Sequence, residues 1–185
     1  TKGNIYDQIN AVGAQICMGV NTFSSYYYQG GNHTKDEDIL FSAALGRMRY
    51  MTTGVDHKAK TAVYYPYEGA SAETLPTTNL WVASDGAKEI SSSFGTLCRT
   101  LVGKQVDYDL VDHINLGKCT VQNGKLVSPS GEEYTSIVIP YTTALYSETV
   151  LKLLEAANAG VKVVVIGTDE IACETGKSEV AAKWS

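Results

Sequence analysis

The chain has no cluster of lysine or arginine anywhere, and its formal net charge is −5. Nucleic-acid binding draws its affinity from such clusters set against phosphates, so the composition argues against a nucleic-acid partner. No apolar run approaches the ~20 residues that a membrane-spanning helix needs, and no membrane partner is expected. The four cysteines, Cys17, Cys98, Cys119 and Cys173, form no Cys-x-x-Cys pair. Zinc sites are built on such close pairs, so neither a metal nor a cofactor is expected, and buried free thiols are the simplest reading. The chain opens on Thr1 and closes on Ala-Ala-Lys-Trp-Ser, without a helix stop. We expect it to be a piece of a longer chain, and the lack of a leader in such a piece says nothing about secretion.

What is present fits an ordinary globular protein: 185 residues, 44% hydrophobic and 19% charged, enough for one domain or one plus a fragment. Residues 4–15 place Ile5, Ile9 and Val12 at near-helical spacing. Ile16 to Phe23 reads as a buried strand. A polar loop with Tyr26, Tyr27 and Tyr28 follows, then a helix over 36–54 with Asp36 or Asp38 as its cap and Gly54 as its stop. Within the loop, Asn32-His33-Thr34 fits a glycosylation acceptor, meaningful in a eukaryotic secretory setting. This strand–helix segment has one strand and no partner for it, so it cannot close a sheet by itself.

From Lys60 strands and helices alternate. "TAVYYP" is an apolar run stopped by Pro66, as expected of a parallel strand buried on both faces. A helix over 85–104 sets Ile90, Phe94, Leu97 and Leu101 at spacings of four, three and four. "VDYDLVD" is a second strand, and Asn123-Gly124 marks a β-hairpin. "SIVIP", a helix capped by Ser147 and stopped by Gly160, and "VKVVVIG" complete the series. The pattern predicts an α/β fold: a flavodoxin-like, three-layer parallel sheet with an inserted β-hairpin, preceded by the strand–helix segment. We place the boundary so that 1–58 is the preceding segment and 59–185 the α/β domain.

In an open parallel sheet, ligands bind beyond the carboxyl ends of the strands. Four turns qualify here: residues 65–68, 112–113, 140–142 and 167–169. Dinucleotide binding needs Gly-x-Gly-x-x-Gly between strand and helix, so that the backbone can approach a pyrophosphate; neither "YYPYEGA" nor "VIGTDEIACETG" has it. A nucleophile elbow needs small residues around a central Ser or Cys, and "IPYTTAL" has Tyr141 there instead. A Cys–His pair remains open through Cys98 or Cys173 with His113, as does a small-ligand site around Glu68, Asp112 and Thr142. Asp107, Asp109 and Asp112 form a sequence cluster, but a metal site wants more converging oxygens, and solvent-facing acids at a strand end are the simpler reading. The tyrosine loop suits sugar binding, because each ring joins an apolar face to a hydroxyl. Core packing serves any one of these rings equally well.

"GVNTFSSYYYQGG" followed by "LFSAALGRMRYMTTGVDHKAKTAVYYP" resembles a junction found in large glycoside hydrolases. There the last strand and helix of a (β/α)8 barrel run into a flavodoxin-like, glutamine-amidotransferase-like domain. Arg47, Tyr50 and Gly54, then Ala62 to Pro66, carry most of the likeness. The later "VDYDLVDHINL", "GKLVSPSGEEYTSIVIP" and "LLEAANAGVKVVVIG" are similar to the same domain, so that the resemblance spans roughly residues 10–170. Similar domains occur in α-L-rhamnosidase-like proteins and, as a trimerisation domain, in one group of barrel β-galactosidases. The resemblance implies an accessory domain whose partners are the upstream barrel, further copies of itself and a carbohydrate substrate. The two glycosidase carboxylates would lie upstream of Thr1, leaving no catalytic residue in this chain. The last barrel strand would lend Asn21, Ser24, Tyr26 and Tyr27 to the substrate. No cysteine stands at Tyr141-Thr142, which departs from true amidotransferases and argues against a glutaminase.

Overall fold

The computed structural model describes residues 4–23, 34–74, 84–167, 170–174 and 176–184. The chain divides into two compact units, Thr1–His57 and Lys58–Ser185.

The first unit holds two helices packed on each other, α1 (Ile5–Cys17) and α2 (Lys35–Thr52). The strand expected at Ile16–Phe23 does not form. Ile16 continues the spacing of Ile5, Ile9 and Val12, so the helix runs on through Cys17 and buries Ile16. Gly19 then turns the chain at φ +88°, and residues 20–23 pair with no ladder. The cap of α2 is Thr34, neither Asp36 nor Asp38. Its hydroxyl accepts from the Glu37 amide while the Glu37 carboxylate accepts from the Thr34 amide, a reciprocal capping box. α2 buries no residue, and Tyr50 and Met51 are 84% and 77% exposed.

The second unit is the three-layer α/β fold. Its elements run β1 (Thr61–Tyr64), α3 (Tyr67–Ala72), α4 (Asp85–Gly103), β2 (Asp109–Val111), α5 (His113–Lys118), β3 (Thr120–Gln122), β4 (Lys125–Val127), β5 (Glu133–Tyr134), β6 (Ser136–Ile139), α6 (Ser147–Asn158), β7 (Lys162–Val165) and α7 (Ser178–Ala181). The central sheet is parallel in the order β2-β1-β6-β7, with Ala62 opposite both Asp109 and Ile137, and Ile137 opposite Val163. Strand order fixes the layers. The step from β1 to β2 and the step from β6 to β7 run in opposite directions, so right-handed crossovers put α4 on one face and α6 on the other. The return from β2 to β6 runs the same way as the step to β7, and accordingly α5 packs on α6.

Alternation along the strands feeds both faces. Ala62, Tyr64, Ile137 and Ile139 join Leu116 of α5 and Val150, Leu153 and Ala156 of α6 in one buried cluster. Val63 and Val138 turn to the α4 face, where Ala87 and Ile90 are buried. The hairpin forms where expected. Asn123 and Gly124 both take positive φ, 52° and 72°, as a two-residue turn of this type requires. With β5 it builds a small antiparallel sheet, β3-β4-β5, which adds Leu126 and Tyr134 to the core.

α6 is capped otherwise than by Ser147. Ser147 is the first helical residue, and the Tyr146 side chain gives no cap bond. Glu174 reaches back from beyond β7 instead, accepting from the Ser147 amide at 2.8 Å and from its hydroxyl at 2.6 Å. Those hydrogen bonds hold the Glu174 carboxyl below the usual carboxylate range. Glu174→Ala is expected to cost about 1 kcal/mol, the size of a lost cap. A depressed pKa contributes stability that is present at neutral pH and lost as pH falls through the folded-state value. The wild-type and Glu174→Ala unfolding curves should therefore converge in acid, a trend that urea titrations at neutral and acidic pH would check.

Candidate functional site

The turns beyond β1, β2 and β6 lie side by side at the carboxyl edge of the sheet. The β1 turn carries Tyr64, the last strand residue, and Glu68 in α3. Both are buried, with Glu68 only 5% exposed. The Tyr64 hydroxyl donates to Glu68 Oε1, and the Thr149 hydroxyl of α6 donates to the same oxygen at 3.5 Å. Burial, reinforced by the hydrogen bond to Glu68, holds the Tyr64 phenol far above its ordinary pKa. Glu68 Oε2 is buried and has no hydrogen-bond partner among the described residues.

The β2 turn is anchored by Asp112, whose carboxylate caps α5 by accepting from the Asn115 amide at 2.7 Å. His113 opens that helix. Its ring lies parallel to Tyr67 at 6.2 Å and meets the edge of Tyr146 at 5.0 Å. His113 Nδ1 is buried and has no hydrogen-bond partner among the described residues. The β6 turn is packed tightly. Thr142 is fully buried and donates to the Ala144 carbonyl at 3.1 Å. A Cβ placed on Gly69 would lie 2.1 Å from Thr142 Oγ1 and 3.2 Å from the Thr143 amide nitrogen. The crevice between β1 and β6, where strand order reverses, is thus closed by backbone against side chain. The Tyr141 amide donates to Ser93 of α4, tying the turn to the opposite layer.

The structure brings Glu68 and Asp112 to one edge, and the charges of both act on Tyr64. Among the described residues, the ring neighbours of His113 are Tyr67 and Tyr146. Cys98 lies on α4 with Tyr108 as its partner, and burial together with that thiol pushes Tyr108 up to about 12. Cys173 follows β7, and burial beside Glu174 raises its thiol, the reverse of an activated cysteine. Cys119 is buried and bonds to the Asn115 carbonyl, whereas Cys17 is exposed and Cys98 and Cys173 are half-buried; all four are free thiols. Asp109 begins β2 and accepts from the Tyr134 hydroxyl, while Asp107 precedes the strand, so these acids do not converge with Asp112 on one point. Among the described residues no group of three or more His, Cys, Asp or Glu side chains could hold a metal, and no helix is long and apolar enough to cross a membrane. Asn21 is exposed and accepts from the Thr22 hydroxyl. Ser24, Tyr26, Tyr27 and the residues Asn32 and His33 lie outside the described residues.

Sequence reasoning missed Tyr64, Thr149 and Tyr146. A signal was available for the first: a tyrosine in the last inward position of a buried strand needs a hydroxyl partner, and Glu68 stands four residues on.

Fold and site define a parallel α/β domain whose switch-point crevice is closed and whose polar cluster joins Tyr64 and Glu68 to Thr149 of α6. No family model and no curated protein matches the chain. Among solved structures, a β-galactosidase from Bifidobacterium adolescentis is similar over 58% of this chain and 39% of that one, at 18% identity and a TM-score of 0.37. The chain spans about two-fifths of that protein's length.

Proposed function

We propose that the chain is a non-catalytic α/β accessory domain of a multidomain glycoside hydrolase, supporting a preceding barrel or its oligomerisation. The observation that carries this reading is the β6 turn. Where a catalytic α/β unit would raise a nucleophile, Thr142 is fully buried against Gly69. The resemblance around Arg47, Tyr50 and Gly54 supports the barrel junction. The exposed apolar side chains Tyr6 of α1 and Ile39, Tyr50 and Met51 of α2 suit a segment that packs on another domain. In this reading Asn21, Ser24, Tyr26 and Tyr27 would contact the carbohydrate held by the barrel.

The test is the coding sequence upstream of Thr1 and the activity of its product. A (β/α)8 barrel with two strand-end carboxylates is expected there, with aryl-glycoside hydrolysis by the whole protein and none by the 185-residue chain alone. An upstream region without a barrel, or hydrolysis by the isolated chain, would overturn the reading.

A further inference from the structure

Asn123 is followed by Gly124, whereas each of the other seven asparagines is followed by a residue that carries a side chain. The pair forms the whole turn between β3 and β4, whose ladder closes at Gln122 opposite Lys125. Asn123 is exposed, with φ at +52°, and Gly124 follows at +72°. Among the described residues the Gly124 amide donates to no backbone carbonyl. The tip does not hang free. A Cβ built on Gly124 would lie 3.4 Å from the Ala159 carbonyl oxygen, and one built on Gly160 would lie 4.0 Å from the Gly124 Cα. Ala159 caps the C-terminal end of α6, so the turn is seated on that end.

We propose that Asn123 is a site of spontaneous deamidation, and that its isoaspartate product unseats the hairpin tip from α6. The Gly124 nitrogen attacks the Asn123 side-chain carbonyl carbon and closes a cyclic imide. The side-chain nitrogen leaves as ammonia, taking up the proton that the Gly124 nitrogen gives up. Water then opens the imide at one carbonyl or the other, leaving aspartate or isoaspartate, with no oxidant or cofactor involved. Glycine permits the attack because no side chain shields its nitrogen. The turn gates it, because the backbone at Asn123 must rotate out of its turn geometry to bring the two atoms together. Exposed turn tips open locally at little free-energy cost, so the gate is passed without global unfolding. Aspartate keeps the two-residue turn, which Asp-Gly also forms. Isoaspartate routes the chain through the side-chain carbon and adds a backbone atom to a turn that has no slack between Gln122 and Lys125. Either product sets a carboxylate beside the C-terminal end of α6, where the helix dipole is negative. One step along the ladder, Val121 stands opposite fully buried Leu126, and both pack in the core, so a lengthened turn is felt there. The site rests neither on the accessory role nor on an upstream barrel.

The test is incubation of the full 185-residue chain in mildly alkaline buffer, followed by trypsin and mass spectrometry. Cleavage after Lys118 and Lys125 releases residues 119–125, a peptide whose asparagine is Asn123 alone. Its aspartate and isoaspartate forms are expected to accumulate at least about tenfold faster than any other deamidated peptide. The same chain denatured in urea should convert Asn123 faster still, as a gate set by the turn requires. The isoaspartate form, separated by chromatography, should lose the native amide resonance positions of Gly124 and Gly160. Asn123→Asp, which brings the charge without the longer backbone, should keep both close to native. The proposal falls if another asparagine converts first, or if Asn123 converts in the fold as fast as in urea. It falls equally if the isoaspartate form keeps the native Gly160 resonance.

Discussion

Gly69→Ala is expected to destabilise the second unit by about 3 kcal/mol, the upper range for overpacking a dense core. Helix propensity alone predicts the opposite sign. Gly69 lies within α3, and alanine is favoured over glycine in a helix by about 1 kcal/mol. Sterics decide. The new methyl would stand 2.1 Å from Thr142 Oγ1 and 3.2 Å from both Ile90 Cδ1 and the Thr143 nitrogen. Thr142 cannot rotate away cheaply, because it is fully buried and its hydroxyl is anchored on the Ala144 carbonyl. A double-mutant cycle separates the causes. Thr142→Ala alone should destabilise through its lost hydrogen bond and contacts, but it removes the atom in the way. The double variant should then be more stable than the sum of the single effects implies, by at least about 1 kcal/mol. Strict additivity in urea denaturation would mean that the two turns do not press on each other and that the crevice between β1 and β6 is open.

Much of the second unit was legible in the sequence because its determinants are local. "TAVYYP", "SIVIP" and "VKVVVIG" are short β-branched runs bounded by proline or glycine, and each forms its strand. Asn123-Gly124 dictates its turn through backbone conformation alone. What was not legible depends on residues distant in the chain. The cap of α6 comes from Glu174, 27 positions after Ser147, and no local pattern links them. The Tyr64–Glu68–Thr149 cluster joins residues 81 and 85 positions apart, so it exists only once α6 has crossed the sheet. The failed strand at Ile16–Phe23 has another cause. An apolar run of that length fits either a strand or the end of an amphipathic helix, and the helical spacing already established by Ile5, Ile9 and Val12 prevailed.

Tyr64→Phe is expected to cost about 2 kcal/mol near neutral pH, although it removes one oxygen from a side chain that packs equally well without it. The loss falls on Glu68. Its Oε1 keeps only the 3.5 Å contact with Thr149, its Oε2 already lacks a partner, and the group is buried. Leaving such an acceptor unsatisfied costs more than the net value of an ordinary hydrogen bond. The effect should shrink in alkali. A phenol whose folded-state pKa is raised contributes stability that is complete below the unfolded value, about 10, and is lost as pH rises beyond it. Burial and Glu68 keep Tyr64 protonated in the fold while the unfolded chain ionises, so the wild type should lose about 1.4 kcal/mol per pH unit there from this residue. Phenylalanine removes that term. Buried Tyr134, whose phenol is also raised, gives both proteins a common residual slope. Between pH 8 and about pH 11 the stability gap between wild type and Tyr64→Phe should therefore narrow by about 1.4 kcal/mol in urea unfolding. A gap that stays constant across that range would show that Tyr64 ionises as freely in the fold as in the unfolded chain, and that its hydroxyl is not sequestered against Glu68.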